Sequence, residues 1–160
     1  MPAVNLAGIA AQLKACGVTH VVWVPDSELG GLEGHLDPSL RLVRACREGE
    51  AIAIAAGLML GGARPALVCQ CTGFFEAGDA FRNVAKDLKL PLFLIIGHRN
   101  RTAFGAGRSG DSAARYLGPV LTAWELTYEV LEPEGDPSVI GALYARARGG
   151  RFAAAVVVAE

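Results

Sequence analysis

The sequence has few aromatic residues and no excess of charge of either sign. Of its 160 residues, 7% are aromatic, and 15 Lys and Arg residues nearly balance 16 Asp and Glu residues, for a net charge of −1. A near-neutral chain lacks the basic surface that binds a phosphate backbone or an anionic membrane. We therefore expect neither nucleic acid nor a membrane as a partner.

Long apolar runs are also missing. The longest covers residues 51–60, between Glu50 and Gly61, and is much shorter than the ~20 residues that a membrane span requires. The first apolar stretch is not preceded by a basic residue, so it lacks the pattern of a secretory signal. These features predict a cytoplasmic protein.

Common metal-binding and nucleophile motifs are absent. The cysteines form no C-x-x-C pair, the three histidines lack ligand spacing, and there is no P-loop, G-x-S-x-G or H-E-x-x-H sequence. We therefore expect no metal site on this chain and small core positions for the cysteines. The cysteines are Cys16, Cys46, Cys69 and Cys71.

Hydrophobic residues, in contrast, are abundant. Hydrophobic residues make up 52% of the sequence and charged residues 19%. This hydrophobic fraction is high for a small domain, which must cover its own surface with polar groups. The length suits a single domain over residues 1–160. An obligate interface with another chain would accommodate the excess.

Strand and helix patterns alternate along the chain. Apolar strands without polar alternation are typical of a parallel sheet that is covered on both faces, so the pattern predicts an α/β fold with a six-stranded sheet in a three-layer α/β/α sandwich. The predicted strands cover residues 18–24, 40–45, 66–71, 90–97, 128–132 and 153–159. The predicted helices cover residues 5–16, 48–60, 75–88, 112–124 and 137–148, with a short helix ending at Leu36.

Ligands in such folds bind at the carboxyl ends of the strands, where the strand order reverses. The predicted ends carry the polar sequences Pro25-Asp26, Arg47-Glu48, Thr72-Gly73 and His98-Arg99. Residues 99–111, which follow, are basic and glycine-rich, and we expect an irregular loop that acts as a mobile lid or contacts the substrate. Taken alone, however, Glu48 and Asp26 have ordinary roles as well, since both residue types favour the start of a helix.

Residues 105–110 match the dinucleotide-binding pattern G-x-G-x-x-G, and Glu129 follows at a suitable distance. The pattern requires its glycines in the turn directly after a strand, whereas residues 98–104 separate this run from the preceding predicted strand. A flexible loop is therefore the favoured interpretation, and a nucleotide-binding regulatory domain stays open as an alternative.

Several of these segments together resemble a known family. Residues 22–29 (VWVPDSEL), 46–51 (CREGEA), 70–73 (QCTG) and 95–99 (IIGHR) are similar to thiamine diphosphate-dependent 2-oxoacid decarboxylases. The similarity is greatest to the α subunits of sulfopyruvate decarboxylases, followed by the phosphonopyruvate decarboxylases. It covers nearly the whole chain in the same order, and it implies the pyrimidine-binding (PYR) domain of the family.

The resemblance implies a role for each matching residue. Glu48 matches the glutamate that hydrogen-bonds the aminopyrimidine ring of the cofactor and promotes its activation. Asp26 matches an acidic residue near the substrate, and we expect it to act in acid/base catalysis. Pro25, Thr72 and Gly73 match positions close to the cofactor.

Three arginines are candidates for a second anionic group of the substrate. Arg99, Arg101 and Arg108 could present guanidinium groups to a sulfonate or phosphonate. Ordinary basic surface residues are the alternative. The sequence also has Asn100 where the relatives tend to have glycine.

The family further implies a partner and a metal. A diphosphate-binding (PP) domain with a G-D-G sequence holds Mg²⁺ and the cofactor's diphosphate, and no G-D-G occurs here. We therefore expect a separate PP-domain β subunit, an active site at the interface, and decarboxylation of a 3-sulfo- or 3-phosphono-2-oxoacid. A carboligase of the acetolactate-forming kind and a noncatalytic partner subunit remain alternatives.

Overall fold

The computed structural model describes residues 4–27 and 29–159, so Glu28 of the family-like segment lies outside the described residues. Its sheet has six parallel strands in the order β2-β1-β3-β4-β6-β5. The strands are β1 (His20–Trp23), β2 (Arg41–Arg44), β3 (Pro65–Gln70), β4 (Phe93–His98), β5 (Thr127–Leu131) and β6 (Ala154–Ala159).

Helices cover both faces of this sheet. They are α1 (Leu6–Ala15), a 3-10 helix (Gly30–His35), α2 (Glu48–Leu60), α3 (Cys71–Glu76), α4 (Gly78–Phe81), a π-helical segment (Arg82–Asp87), α5 (Arg101–Gly105), α6 (Ser112–Ala123) and α7 (Ser138–Gly150). Within the described part of the chain, every helix is too short or too polar to cross a membrane.

The strands separate two hydrophobic cores. On one face, strand residues such as Leu67 and Leu94 pack with buried residues of α2, α3 and α6; on the other, Val68 and Ile95 pack with α1 and α7. Consecutive strand residues point to opposite faces, so a strand buried on both must be apolar throughout. The predicted three-layer α/β/α sandwich with a six-stranded parallel sheet is confirmed.

The helix predicted over residues 75–88 begins earlier, at Cys71, so Thr72 and Gly73 are helical rather than part of a loop. The reason is a stripe of buried residues at helical spacing: Cys71, Phe74, Ala77, Phe81 and Val84. The Phe74 and Phe81 rings pack edge to face with centroids 5.3 Å apart. The stripe therefore extends the helical pattern back to the end of β3.

Residues 99–111 are also more regular than predicted, because α5 occupies Arg101–Gly105. Asn100 adopts a left-handed conformation (φ +59°), which Asn tolerates better than most residues and glycine adopts freely. Its side chain donates to Asp111 Oδ2 at 2.9 Å, while Asp111 Oδ1 caps α6 by accepting from Ala113 N at 2.9 Å. The prediction of an irregular loop is wrong for α5.

The cysteines are all free thiols, and they differ in burial. Cys69 and Cys71 are buried in the core on the α2 side of the sheet. Cys16 is half-buried and Cys46 is exposed, so the prediction of core cysteines is wrong for Cys46. Cys46 lies between β2 and α2, where the chain leaves the sheet.

Candidate functional site

The strand order reverses at β1, which has β2 on one side and β3 on the other. The chain leaves β1 towards β2 and then crosses to β3, so a crevice forms beyond the carboxyl ends of β1 and β3. Asp26 follows β1, Glu48 follows β2, and Gly73 follows β3. The structure thus brings three of the residues predicted from sequence to this crevice.

Glu48 is the first residue of α2 and is half-buried. The chain enters the helix through Arg47, whose backbone is extended, and α2 then buries Ala51, Ile52, Ala55 and Ala56. Within residues 4–27 and 29–159, the Glu48 carboxylate takes part in no hydrogen bond or ion pair. A half-buried carboxylate without a protein partner is available to a ligand donor.

Gly73 lies directly against the Glu48 side chain. A Cβ atom at position 73 would lie 1.9 Å from Glu48 Oε1 and 2.2 Å from Glu48 Cδ, which no real contact allows. The first turn of α3 therefore approaches the carboxyl group as closely as a backbone can, and only glycine leaves room for it. This close approach defines the direction of the Glu48 carboxyl group.

Asp26 is half-buried, and its contacts include hydrogen bonds from Leu29 and Trp23. Its Oδ1 accepts from the Leu29 backbone N–H at 2.7 Å, and its Oδ2 accepts from the Trp23 indole Nε1 at 3.2 Å. The first contact lies in the loop before the 3-10 helix, whose N-cap residue is Leu29 and which has no side-chain cap. Asp26 is therefore not the N-cap of this helix, and its two contacts hold the carboxylate in place after β1.

The buried thiol of Cys69, next to last in β3, lies within the electrostatic influence of both carboxylates. Burial raises its pKa well above the usual range, and the nearby carboxylates of Glu48 and Asp26 raise the pKa further. Both carboxylates thus lie close enough to act on one thiol. The crevice is acidic, and Cys69 beneath it is an uncharged thiol at neutral pH.

Glu76 in α3 was missed by the sequence analysis. Its Oε2 accepts from the Gly49 backbone N–H at 3.0 Å, and its Oε1 accepts from Arg47 Nε at 2.9 Å and Nη2 at 2.6 Å. The Gly49 N–H, followed by the Arg47 guanidinium, lowers the pKa of Glu76. Glu76 therefore caps α2 from another helix, a contact across 27 residues that no local motif indicates.

The three candidate arginines do not converge. Arg99 Nε donates to Asp111 Oδ2 at 3.1 Å, and its backbone N–H reaches the Cys71 thiol at the start of α3. Arg101 Nη1 donates to Glu132 Oε1 at 2.5 Å, beyond the edge strand β5. Arg108 is exposed after α5. Arg99 thus contacts the start of α3, the helix that carries Thr72 and Gly73.

The remaining predicted positions lie at the rim. Pro25 is exposed after β1, and Thr72 is exposed in α3, where its hydroxyl donates to Gln70 Oε1 at 2.7 Å. Among the described residues, no three His, Cys, Asp or Glu side chains are grouped as a metal site. The glycines of residues 105–110 follow α5 rather than a strand, so they lack the context of a dinucleotide-binding turn.

His98, at the end of β4, is buried and was not singled out by sequence. Its Nε2 bonds the Ala114 carbonyl oxygen at 3.0 Å, which joins β4 to α6. Burial lowers the pKa of His98. The ring is therefore neutral at physiological pH and donates its Nε2 proton to the carbonyl.

Comparison with known proteins identifies a family. Residues 6–118 match the model of the thiamine pyrophosphate enzyme N-terminal TPP binding domain. The chain is 32% identical over 135 residues to a phosphonopyruvate decarboxylase of Streptomyces viridochromogenes, covering 83% of this chain and 34% of that protein. It is 33% identical over 85 residues to a sulfopyruvate decarboxylase subunit alpha of Methanococcus maripaludis, covering 52% of this chain and 51% of that protein.

Solved structures share the fold. A thiamine diphosphate-dependent 4-hydroxybenzoylformate decarboxylase of Rhodococcus jostii RHA1 superposes with a TM-score of 0.70 at 19% identity, over 98% of this chain and 30% of that one. A benzoylformate decarboxylase of Polynucleobacter necessarius gives a TM-score of 0.70 at 21% identity, over 97% of this chain and 30% of that one. The chain thus spans about 30% of the length of these solved structures. It spans 34% and 51% of the lengths of the two relatives found by sequence.

Proposed function

Because the chain belongs to the thiamine pyrophosphate enzyme family and carries its N-terminal TPP binding domain, we propose that it is a subunit of a thiamine diphosphate-dependent 2-oxoacid decarboxylase. In this proposal Glu48 is the residue that activates the cofactor. The observation that carries it is the half-buried Glu48 carboxylate, which lies at the strand-order reversal without a partner among the described residues.

The Glu48 carboxyl group suits an aminopyrimidine ring in its hydrogen-bonding chemistry. Gly73 leaves free the space that this carboxyl group occupies, which a Cβ atom at position 73 would overlap. A carboxyl group can share a proton with a ring nitrogen, which the aminopyrimidine of thiamine diphosphate offers. Pro25, Thr72 and Gly73 would line the cofactor, with Glu48 bonded to its ring.

When bound, thiamine diphosphate supplies the electron sink that stabilises the carbanion left by loss of CO₂. The chain's own residues manage protons and orientation. Glu48 would hold a proton at the pyrimidine ring, and Gly73 leaves the space that its carboxyl group occupies. Asp26, which accepts from Leu29 N–H and Trp23 Nε1, would exchange a proton with the substrate.

The proposed partner is a separate β subunit with a PP domain, which would hold Mg²⁺ and the cofactor's diphosphate. One relative in sequence is itself named as an alpha subunit. A groove of about 440 Å³ begins at Thr72 and runs between α3 and α6 to Trp124, with Tyr116 on its wall 51% exposed. Its continuity with the crevice at Thr72 makes it the surface that we assign to the β subunit.

For the substrate we propose a 2-oxoacid with a 3-sulfo or 3-phosphono group. The two relatives in sequence are named for such substrates. Arg99 is the candidate for the second anionic group, because it lies by the start of α3 and a half-exposed guanidinium can exchange Asp111 for a substrate anion.

The first test is to purify the tagged chain from its native host, identify what co-purifies, and assay CO₂ release from sulfopyruvate and phosphonopyruvate. We expect a second chain, bound thiamine diphosphate and turnover of one substrate. In that complex, Glu48→Gln should leave assembly and the melting temperature unchanged and lower kcat by about 100-fold or more, the range of a lost proton-transfer group.

Full activity of the Glu48→Gln complex would contradict the assignment of Glu48. A C–C bonded condensation product in place of the aldehyde would show carboligation rather than decarboxylation. Absence of both cofactor and partner would contradict the proposed function as a whole.

Asp26 is tested by Asp26→Asn, which keeps an oxygen for the Leu29 N–H and removes the charge. We expect the affinity for thiamine diphosphate to be unchanged within about threefold and kcat to fall about 10- to 100-fold, since an amide cannot transfer the proton. Isothermal titration gives the affinity and stopped-flow the rate. A complex that no longer assembles would instead assign Asp26 to a structural role alone.

A further inference from the structure

We propose that the cleft between α1 and α7 binds a small organic carboxylate. The cleft has a volume of about 370 Å³ and lies at the amino-terminal edge of the sheet, opposite to Glu48 and Asp26. Its rim comes from the ends of α1 and α7 and from Arg64, which precedes β3. The proposed function does not use any of these residues.

The cleft exists because the two helices approach closely only part of the way. At Gly141, a Cβ atom would lie 2.7 Å from Gln12 Oε1, so glycine lets α7 pack against the Gln12 amide of α1. Beyond this contact the helices separate, and the opening is lined by Cys16, Ala145 and Tyr144 among others. Its walls are therefore partly apolar and partly polar.

Tyr144 is the observation that indicates a ligand. The residue is 5% exposed, its ring packs edge to face on Phe93 at 5.0 Å, and its buried hydroxyl donates its proton to no acceptor among the described residues. An unsatisfied buried donor is destabilising, and native proteins seldom keep one without a partner. Tyr144 is one of the residues that line the cleft.

Two guanidinium groups set the charge that the cleft accepts. Arg148 stands over the Tyr144 ring, 5.9 Å from its centroid, and Arg64 lies against Gly17, where a Cβ would be 2.9 Å from its Nη2. Both arginines lower the pKa of Tyr144, although burial has the larger effect and raises it overall. In the part of the chain that the structure describes, neither has a carboxylate partner within ion-pair distance.

The ligand class follows from these groups. Each arginine taken alone is explained by the helix carboxyl terminus beside it, where a positive charge is favoured. The buried hydroxyl is not explained in that way, and together they provide one neutral donor and two cations for an oxyanion. Burial raises the pKa of the Cys16 thiol, so this rim residue is uncharged and does not repel an anion. Apolar walls beside Ala145 suit a short hydrocarbon chain.

The test uses the full 160-residue chain, with sodium butyrate as the probe and butylammonium chloride as the probe of opposite charge. Backbone amide NMR of residues 12, 64, 144 and 148 should show saturable shifts with butyrate, with a millimolar Kd, and none with butylammonium. Tyr144→Phe should raise Kd at least tenfold, because only the donated hydrogen bond is lost. Arg64→Gln with Arg148→Gln should abolish saturation.

Arg146→Gln is the matched control, since Arg146 is on the same helix and faces Glu129 at 3.7 Å instead of the cleft. It should leave the Kd unchanged. Tyr144→Phe should also raise the melting temperature of the chain without butyrate, because an unsatisfied hydroxyl is removed. Shifts that stay linear with butyrate concentration, an unchanged Kd in Tyr144→Phe, or a lower melting temperature of that variant would each overturn the proposal.

Discussion

At the scale of the residue, the contact between Gly73 and Glu48 gives the crevice its form. Glu48 starts a helix whose buried side is apolar, and Gly73 lies in the first turn of the helix that packs beside it. The absence of a single side-chain carbon at position 73 allows the carboxyl group to lie where it does. Glycine is needed here for space, since its φ is helical and any residue could adopt the backbone conformation.

Gly73→Ala tests this contact. The new Cβ would overlap Glu48 Oε1 and Cδ, so the flexible Glu48 side chain must rotate away from the crevice. We expect kcat of the assembled enzyme to fall at least tenfold while the melting temperature changes by only a few degrees, because alanine favours the helix by about 1 kcal/mol. Steady-state kinetics and thermal unfolding measure the two effects.

The matched control is Gly78→Ala in α4. A Cβ at position 78 would meet Trp124 Cζ2 at 3.7 Å, an ordinary van der Waals distance, so that variant should keep its activity. Equal losses in both variants would mean that helix packing, rather than the Glu48 carboxyl group, responds to the added methyl group.

At the scale of the element, α3 orients the start of α2. The N-cap residue of α2, Arg47, has no capping side chain of its own, and the cap comes from Glu76 near the end of α3. Glu50, in the first turn of α2, accepts from the Cys46 backbone N–H at 3.0 Å and completes the entry into the helix. Glu50 thus has a structural role at the helix start, whereas the Glu48 carboxylate makes no hydrogen bond or ion pair with another described residue.

Glu76→Gln should weaken the coupling of the two helices. The ionised carboxylate stabilises the folded chain because its pKa is lowered from 4.5 by the Gly49 N–H and Arg47. That contribution is fully present above pH 4.5 and is lost as the pH falls through the lower pKa of the folded state. We expect the variant to melt a few degrees lower at pH 7.

Thermal unfolding of both proteins between pH 7 and pH 3 measures this difference, which should shrink below pH 4.5. Asp79→Asn, on the exposed side of the next helix, is the control. It should show a smaller change because the contacts of this carboxylate, an ion pair with Arg82 and a hydrogen bond from Asn83, are at the surface. A difference that is the same at every pH would show that the Glu76 charge is not responsible.

At the scale of the whole molecule, a hydrogen bond from His98 links the sheet to helix α6. Its ring is buried at the end of a central strand, and its bond to the Ala114 carbonyl fixes the first turn of α6. A neutral buried imidazole makes global stability sensitive to mild acid, unlike the surface ion pairs of the molecule.

We expect the stability of the chain to fall as the pH drops below 6.5. Burial lowers the pKa of His98 from 6.5, so the unfolded chain takes up a proton in a range where the folded chain does not. The stabilisation is fully present above pH 6.5 and is lost progressively towards the lower folded pKa. The midpoint of urea unfolding at pH 7.5 and pH 5.5 measures the loss.

His98→Gln keeps a side-chain donor for the Ala114 carbonyl and has no titratable group. In this variant the difference between the two urea midpoints should become smaller. If wild type and variant respond equally to pH, a group other than His98 causes the acid sensitivity.

Much of the fold could be predicted from the sequence because its signals are local. The bounds of α2, Glu48–Leu60, agree with the predicted helix, since they are marked by a charged first turn and by Gly61 after the last residue. The strands β3, β4 and β6 are buried on both faces, so their continuous apolar runs were unambiguous. Those patterns determine the class of fold and place Asp26, Glu48 and Gly73 at the carboxyl edge of the strands.

Tertiary structure alone decided which side chains meet at that edge. Gly73 and Glu48, and likewise Glu76 and Gly49, are distant in sequence, and their contacts depend on how α3 packs on α2. Arg99 and Arg101 are near neighbours in sequence, yet α5 directs them to different carboxylates. Sequence patterns report the periodicity of single elements, whereas contacts between elements depend on packing in three dimensions.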